Sequence, residues 1–258
     1  MIFALGLLRR RFDGHCFTWF DHASYKGYDL FPIYKEYIDK HFEEGYYEED
    51  ANWMNASFCS LHRVKFDLFR RYGLIAAAGD RHLVEFLPGN EYLKDPETVA
   101  SWDFGLTTVE WRKNDMSKRL ERSARLISGE DAIKLEPTGE EGVQLIKAIC
   151  GLQQTISNVN IPNTNKQIAN LPASAVVETN ALFARDQIRP LVAGALPENI
   201  HKLTMPHVEN HERIMIAGLS QDRDLVVEAF LNDPLIQGYG RNQSEIEKLA
   251  DDMLNATL

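Results

Sequence analysis

Between Leu61 and Ala78 (LHRVKFDLFRRYGLIAAA) the apolar side chains recur at helical spacing. Val64, Leu68 and Phe69 stand at i, i+4 and i+5, Tyr72 extends the face, and Gly73 is a natural stop. This pattern predicts an amphipathic helix. A second helix is predicted in the stretch that opens at Tyr34, followed by a wet acidic turn at EEGYYEED. The charged run Thr107 to Ser128 predicts a solvated helix. Val143, Ile146, Ala148 and Ile149 predict another between Gly139 and Gln154. The β-branched pair Val176 and Val177 marks SAVVETNALFA as a buried strand, and RDQIRPLVAGALP reads as a turn and a short strand. Beyond it a long helix is expected from Glu198 to Gly218, and a shorter one from Leu225 to Leu231. DPLI closes that helix. A last helix is capped by Ser244, with Glu247 as the capping-box partner. GDRHLVEF reads as a loop entering a strand or short helix that ends at Pro88 and Gly89. IPNTNKQIANLP reads as a loop. Helices dominate and strands fall irregularly between them, which predicts an α+β fold rather than a regular parallel sheet.

The totals narrow the picture. The chain has 258 residues, enough for a sizeable core, and a formal net charge of −10, which disfavours nucleic acid and anionic membranes as partners. Its three cysteines, Cys16, Cys59 and Cys150, are widely spaced and form no disulfide framework, so a reducing cytoplasm is expected. In MIFALGLLRRRF the arginines follow the apolar residues, the reverse of a signal peptide, and the run is far shorter than a bilayer span. Residues 1–13 are therefore expected to be an atypical start, and residues 14–258 one domain.

Several constellations could carry chemistry. His15 and Cys16 are adjacent, and on a strand they would point to opposite faces. Cys59 and His62 share a helix face at i, i+3, as do His207 and His211 at i, i+4, but each pair falls short of a complete metal site. AAAGDRHLVEF places Asp80, Arg81, His82 and Glu85 within six residues after a small-residue run, either as an active-site loop or as a surface ion-pair cluster. No GxGxxG follows an early strand, and there is no phosphate-binding P-loop and no GxSxG.

The longer wording is more specific. NVNIPNTNKQIANLPASAVVETNALFARDQIRPLVAGALP, PHVENHERIMIAGLSQDRDLVVEAFLNDPLI, HASYKGYDLFP after FTWF, and RYGLIAAAGDRHLVEFLPG together resemble the C-terminal part of family 4 glycoside hydrolases. The α-galacturonidase branch is the most similar, and the resemblance runs from about Gly14 to Ile236. It implies an α+β domain similar to the C-terminal domain of lactate dehydrogenases, with antiparallel strands and a homo-oligomeric assembly. It also implies hydrolysis of α-galacturonides or related α-glycosides with NAD and a divalent metal, commonly manganese, in place of two carboxylates. The implied sequence is oxidation at C3, elimination, addition of water and return of the hydride.

The same resemblance implies roles. Asp80 stands where relatives place the base at C2, and His82 beside it belongs to the catalytic set. Arg81 would bind a uronate carboxylate, for which an arginine fork is well suited. Asn163 lies in the substrate loop, where Lys166 replaces a usual glycine and is expected to disturb the loop. The metal-binding NHFTW stretch appears as DGHCFTW, so His15 fits the ligand position by side-chain type and Cys16 by alignment. A Gly-rich NAD loop and a further cysteine ligand would precede Met1. The expectation is thus a glycosidase of this type. The alternative is an inactive or partner-dependent C-terminal fragment without the NAD-binding domain.

Overall fold

The computed structural model of the chain describes residues 19–46, 60–134 and 141–257. The fold is α+β. Eleven helices are found among those residues: α1 Phe31–His41, α2 Arg63–Tyr72, α3 Asp80–Leu83, α4 Gly89–Tyr92, α5 Pro96–Ser101, α6 Val109–Ser128, α7 Gly142–Ile149, α8 Glu198–Ser220, α9 Arg223–Leu231, α10 Pro234–Gln237 and α11 Gln243–Thr257. The strands are β1 Trp19–Phe20, β2 Ser24–Tyr25, β3 Tyr28–Asp29, β4 Ile75–Ala76, β5 Thr155–Pro162, β6 Val176–Ala184 and β7 Gln187–Pro190. They form the pairs β1–β4 and β2–β3 and a sheet in the order β5-β6-β7. The β1–β4, β2–β3 and β6–β7 pairings are antiparallel. None of the helices among the described residues is long and apolar enough to cross a membrane.

The chain divides into two compact units. The first comprises Met1–Gly105, Asn160–Glu178 and Val192–Leu258, the second Leu106–Val159 and Thr179–Leu191. In the first, α2 supplies much of the core. Its Val64 and Leu68 pack with Ala76, Leu83, Val84, Leu87 and Phe104. Its Phe66 and Phe69 pack with Tyr34 and Ile38 of α1. The rings of Tyr34 and Phe69 meet edge to face at 5.0 Å between centroids. Gly73 ends α2 at φ +72, and its N–H donates to Phe69 O, as the sequence predicts.

Elsewhere in this unit α8 packs on α9 and α9 on α11. The buried Asn210 donates from Nδ2 to Ala229 O at 2.9 Å, and Arg223 forks onto Asp251 with two bonds of 2.7 Å. The second unit has a smaller core, with Ala148, Ala181 and Phe183 flanked by Leu145 and Val159.

Local chemistry moved some boundaries. β6 alternates rather than being buried throughout. Val177, Thr179, Ala181 and Phe183 point inward, whereas Val176 is 66% exposed. DPLI does not simply stop α9: Asp233 accepts from the N–H groups of Leu235 and Ile236 and starts α10. The last capping box sits two residues before its expected place. Asn242 Oδ1 accepts from Glu245 N, and Glu245 Oε2 accepts from Asn242 N. The helix therefore begins ahead of Ser244.

Candidate active site

GDRH is a short helix rather than a loop. Gly79 is extended before it, and His82 and Leu83 both donate their N–H to Gly79 O. The four charged or titratable groups of this segment do not form one cluster. Asp80 turns inward and is completely buried. Its Oδ2 accepts from Val64 N at 3.2 Å and its Oδ1 from Lys65 N at 3.1 Å, and the Ser60 hydroxyl bonds to it as well. These backbone donors belong to the first turn of α2, whose preceding residue, His62, is left-handed (φ 59) and supplies no side-chain cap. Asp80 takes over that duty from outside the helix. Burial pushes its carboxyl above the usual carboxylate range. Lys65 and the donated hydrogen bonds oppose that shift without cancelling it.

Arg81 and His82 are half-buried, and Arg81 Nε donates to His82 Nε2 at 3.3 Å. His82 Nδ1 lies 3.8 Å from Glu85 Oε2. Two further residues reach this neighbourhood from afar. The Tyr34 hydroxyl is buried without a hydrogen-bond partner among the described residues. Desolvation first, and the Asp80 charge second, raise its pKa. Lys65 reaches Ala77 O from Nζ at 3.4 Å. Neither residue is signalled by spacing, because the fold rather than the local sequence carries both to Asp80. From the other side His207 of α8 bonds through Nε2 to Phe86 O at 2.9 Å, in the turn that follows α3. This fixes Nε2 as the protonated nitrogen, because a carbonyl only accepts. Of the histidine pair in HVENHE, only His207 is drawn inward, and His211 is exposed.

Asn163 is fully buried, and its amide is spent inside its own loop. Nδ2 donates toward Ile168 O, Leu171 O and Pro172 O at 2.9–3.1 Å, and Oδ1 accepts from Ile168 N at 3.0 Å. Its Nδ2 has no hydrogen left to donate, whereas Oδ1 keeps a second lone pair. Lys166 is left-handed at φ 53, the conformation a glycine adopts freely, and its Nζ donates to Leu171 O at 2.9 Å. The NLP and G-x-LP segments are tied together. Asn170 donates to Leu196 O and accepts from Leu196 N, both at 2.9 Å.

His15 and Cys16, the expected metal ligands, lie outside the described residues, as does Cys59. Among the described residues no three of His, Cys, Asp and Glu come together to hold a metal ion.

Residues 15–236 match the model of the family 4 glycosyl hydrolase C-terminal domain, and the chain belongs to that family. It is 66% identical over 93% of its length to an alpha-galacturonidase of Lachnoclostridium phytofermentans, covering 52% of that protein. It is 45% identical to one of Bacillus subtilis, covering 94% of this chain and 52% of the other. The solved structure of Bacillus subtilis lplD, described as a glucosidase, superposes with a TM-score of 0.83 at 45% identity, over 93% of this chain and 53% of that one. A 6-phospho-alpha-glucosidase from gut microorganisms, solved in complex with NAD and Mn2+, shares the fold at TM-score 0.62 and 18% identity, over 92% of this chain and 51% of its own. The chain spans about half the length of the curated relatives it matches.

Proposed function

We propose that this chain is the substrate-side half of an α-galacturonidase that works with NAD and a divalent metal, manganese by its resemblance. The observation that carries this reading is the 66% identity to an alpha-galacturonidase across 93% of the chain. NAD and the metal, when bound, would supply reversible oxidation of the sugar and Lewis-acid polarisation of its oxygens. The chain's own residues do the rest. Arg81 holds the uronate carboxylate, for which a planar guanidinium is suited. His82, bonded to Arg81, keeps that group oriented and binds a hydroxyl. Asp80 is the proton acceptor at C2. A carboxylate has about four lone-pair positions, so each oxygen keeps capacity beyond the backbone N–H it accepts. Its elevated pKa brings it closer to the working pH of a general base. Asn163 shapes the substrate loop and belongs, with Arg81, to the substrate-binding set, the second lone pair of its amide oxygen being free to accept. His15 or Cys16 supplies the metal ligand. The assembly is a cytoplasmic homo-oligomer.

Because the chain spans half of its relatives' length, catalysis requires the other half. The test is release of the aryl group from an aryl α-galacturonide with NAD and Mn2+, by this chain alone and with the remaining half of the Lachnoclostridium protein supplied separately. Release only in the mixture, lost on Arg81→Ala and Asp80→Asn, is expected. Release by the chain alone would mean that it needs no partner half. No release in either case, with binding of galacturonate also absent, would leave the inactive-fragment alternative.

A further inference from the structure

Lys65 meets the GDRH segment with two separate groups. Its backbone N–H, in the first turn of α2, donates to Asp80 Oδ1 at 3.1 Å. Its ammonium donates to Ala77 O, three residues ahead of Asp80, at 3.4 Å. Between the two contacts lie Ala78 and the extended Gly79, which lead into α3. One residue thus holds both ends of that entry, and the ammonium stays within electrostatic reach of the buried carboxyl.

Among the described residues, the other groups around Asp80 are neutral or already engaged. From α1 comes the Tyr34 phenol, which burial and the Asp80 charge keep protonated. From ahead of α2 comes the Ser60 hydroxyl, and from α2 itself the Val64 amide. On α3 and the turn after it, Arg81 bonds His82, and His82 lies 3.8 Å from Glu85. A carboxyl buried as completely as Asp80 sheds its charge unless a cation or donated hydrogen bonds offset the loss of water. The donated bonds come largely from the backbone. The cation is a side chain, and Lys65 carries it.

We propose that Lys65 is a positioning residue for Asp80: it holds the entry to α3 in place and keeps the carboxyl ionised, and so able to accept a proton, at working pH. The role rests on the reading of Asp80 as the proton acceptor at C2. Lys65 acts only through Asp80 and makes no contact with the sugar.

Three substitutions separate the tether from the charge. Lys65→Arg keeps both, Lys65→Gln keeps a donor for Ala77 O without the charge, and Lys65→Met keeps neither. All three leave the backbone N–H to Asp80 intact. The first measurement is the titration of the Asp80 carboxyl by NMR, in the full chain labelled with 13C-aspartate, the signal being assigned by its loss in Asp80→Asn. It requires neither NAD, nor metal, nor activity. The carboxyl is expected to titrate at higher pH in Lys65→Gln and Lys65→Met than in wild type, and at the wild-type position in Lys65→Arg. The second measurement is the pH profile of aryl α-galacturonide cleavage with the remaining half of the Lachnoclostridium protein supplied. There the acid limb of kcat should move in the same direction in the same two variants. Below that limb kcat should fall about tenfold, the effect of one nearby opposite charge, with KM unchanged. A purely structural role would lower activity at every pH instead. An Asp80 carboxyl that titrates alike in wild type and all three variants overturns the proposal. So does an acid limb that stays in place while the carboxyl moves. A wild-type mixture that cleaves nothing would sink the catalytic reading alone, and the carboxyl titration would still decide whether Lys65 controls Asp80.

Discussion

Asp80 carries two demands at once. As the outside cap of α2 it accepts two backbone N–H groups, and as a buried carboxylate it resists carrying charge. The first demand predicts that Asp80→Ala, which leaves those donors and the Ser60 hydroxyl unpaired, costs about 1–3 kcal/mol of stability. Denaturant unfolding measures it, and an unchanged midpoint would refute the capping role. The second demand has a sign. A carboxyl whose folded-state pKa is raised above its ordinary 3.8 binds protons more readily when folded. Its contribution is therefore complete below that value and is lost as pH rises through the folded value. The melting-temperature advantage of wild type over Asp80→Asn should accordingly shrink as pH is raised from the ordinary value, since asparagine does not titrate. A gap that widens with pH would show that the hydrogen bonds outweigh burial. Asn163 makes a simpler case. Its side chain makes four bonds inside one loop and none outside it, so Asn163→Ala should cost about 2–3 kcal/mol through unpaired carbonyls. Any fall in substrate affinity should then follow loop disorder, visible as lost amide protection of Ile168.

At the level of elements, His207 couples α8 to the turn after α3. Burial is the main cause of its lowered pKa. The bond to Phe86 O and the charge of Asp233 act against that shift, and His211 adds to it. A histidine with a depressed folded-state pKa contributes stability that is present above its ordinary 6.5 and lost as pH falls below it. His207→Gln should therefore remove part of the acid-side loss of stability, and it should also loosen the turn at Phe86. Matching pH-stability profiles for the variant and wild type would rule this out. The longer helices are legible because each announces itself locally, whereas the short ones, α3, α4, α5 and α10, are not. α2 has its apolar face and Gly73, and α6 has its charge. The boundaries that shifted were decided by caps one or two residues from the predicted ones, at Asp233 and Asn242. The site was less legible. GDRH stands out by its residue types, but nothing in its spacing tells that Asp80 is buried at the start of α2 while Arg81 and His82 stay partly exposed. Tyr34 and Lys65 come to Asp80 only through tertiary packing, from 46 and 15 positions away along the chain, and His207 comes to Phe86 from 121.

On the scale of the whole molecule, the two compact units differ in how much apolar surface they enclose. The first holds separate clusters around Leu68, Phe66 and Leu171, with large side chains such as Phe66, Ile38 and Leu83 fully buried. The second rests on Ala148, Ala181 and Phe183, with two partly buried neighbours, and its α6 and α7 leave most of their apolar residues in water. Burial of a single large side chain is worth about 1.5–3 kcal/mol, so a core centred on one phenylalanine and two alanines leaves little reserve. The second unit should therefore open well below the global unfolding free energy. Native-state hydrogen exchange would reveal this as amides of Leu145 to Ile149 exchanging at low denaturant while those of Val64 to Phe69 stay protected. Phe183→Ala, expected to cost about 3–5 kcal/mol locally, should widen that difference without lowering protection in α2. Equal protection in both stretches, or a loss that spreads to α2 on Phe183→Ala, would mean that the chain unfolds as one cooperative body.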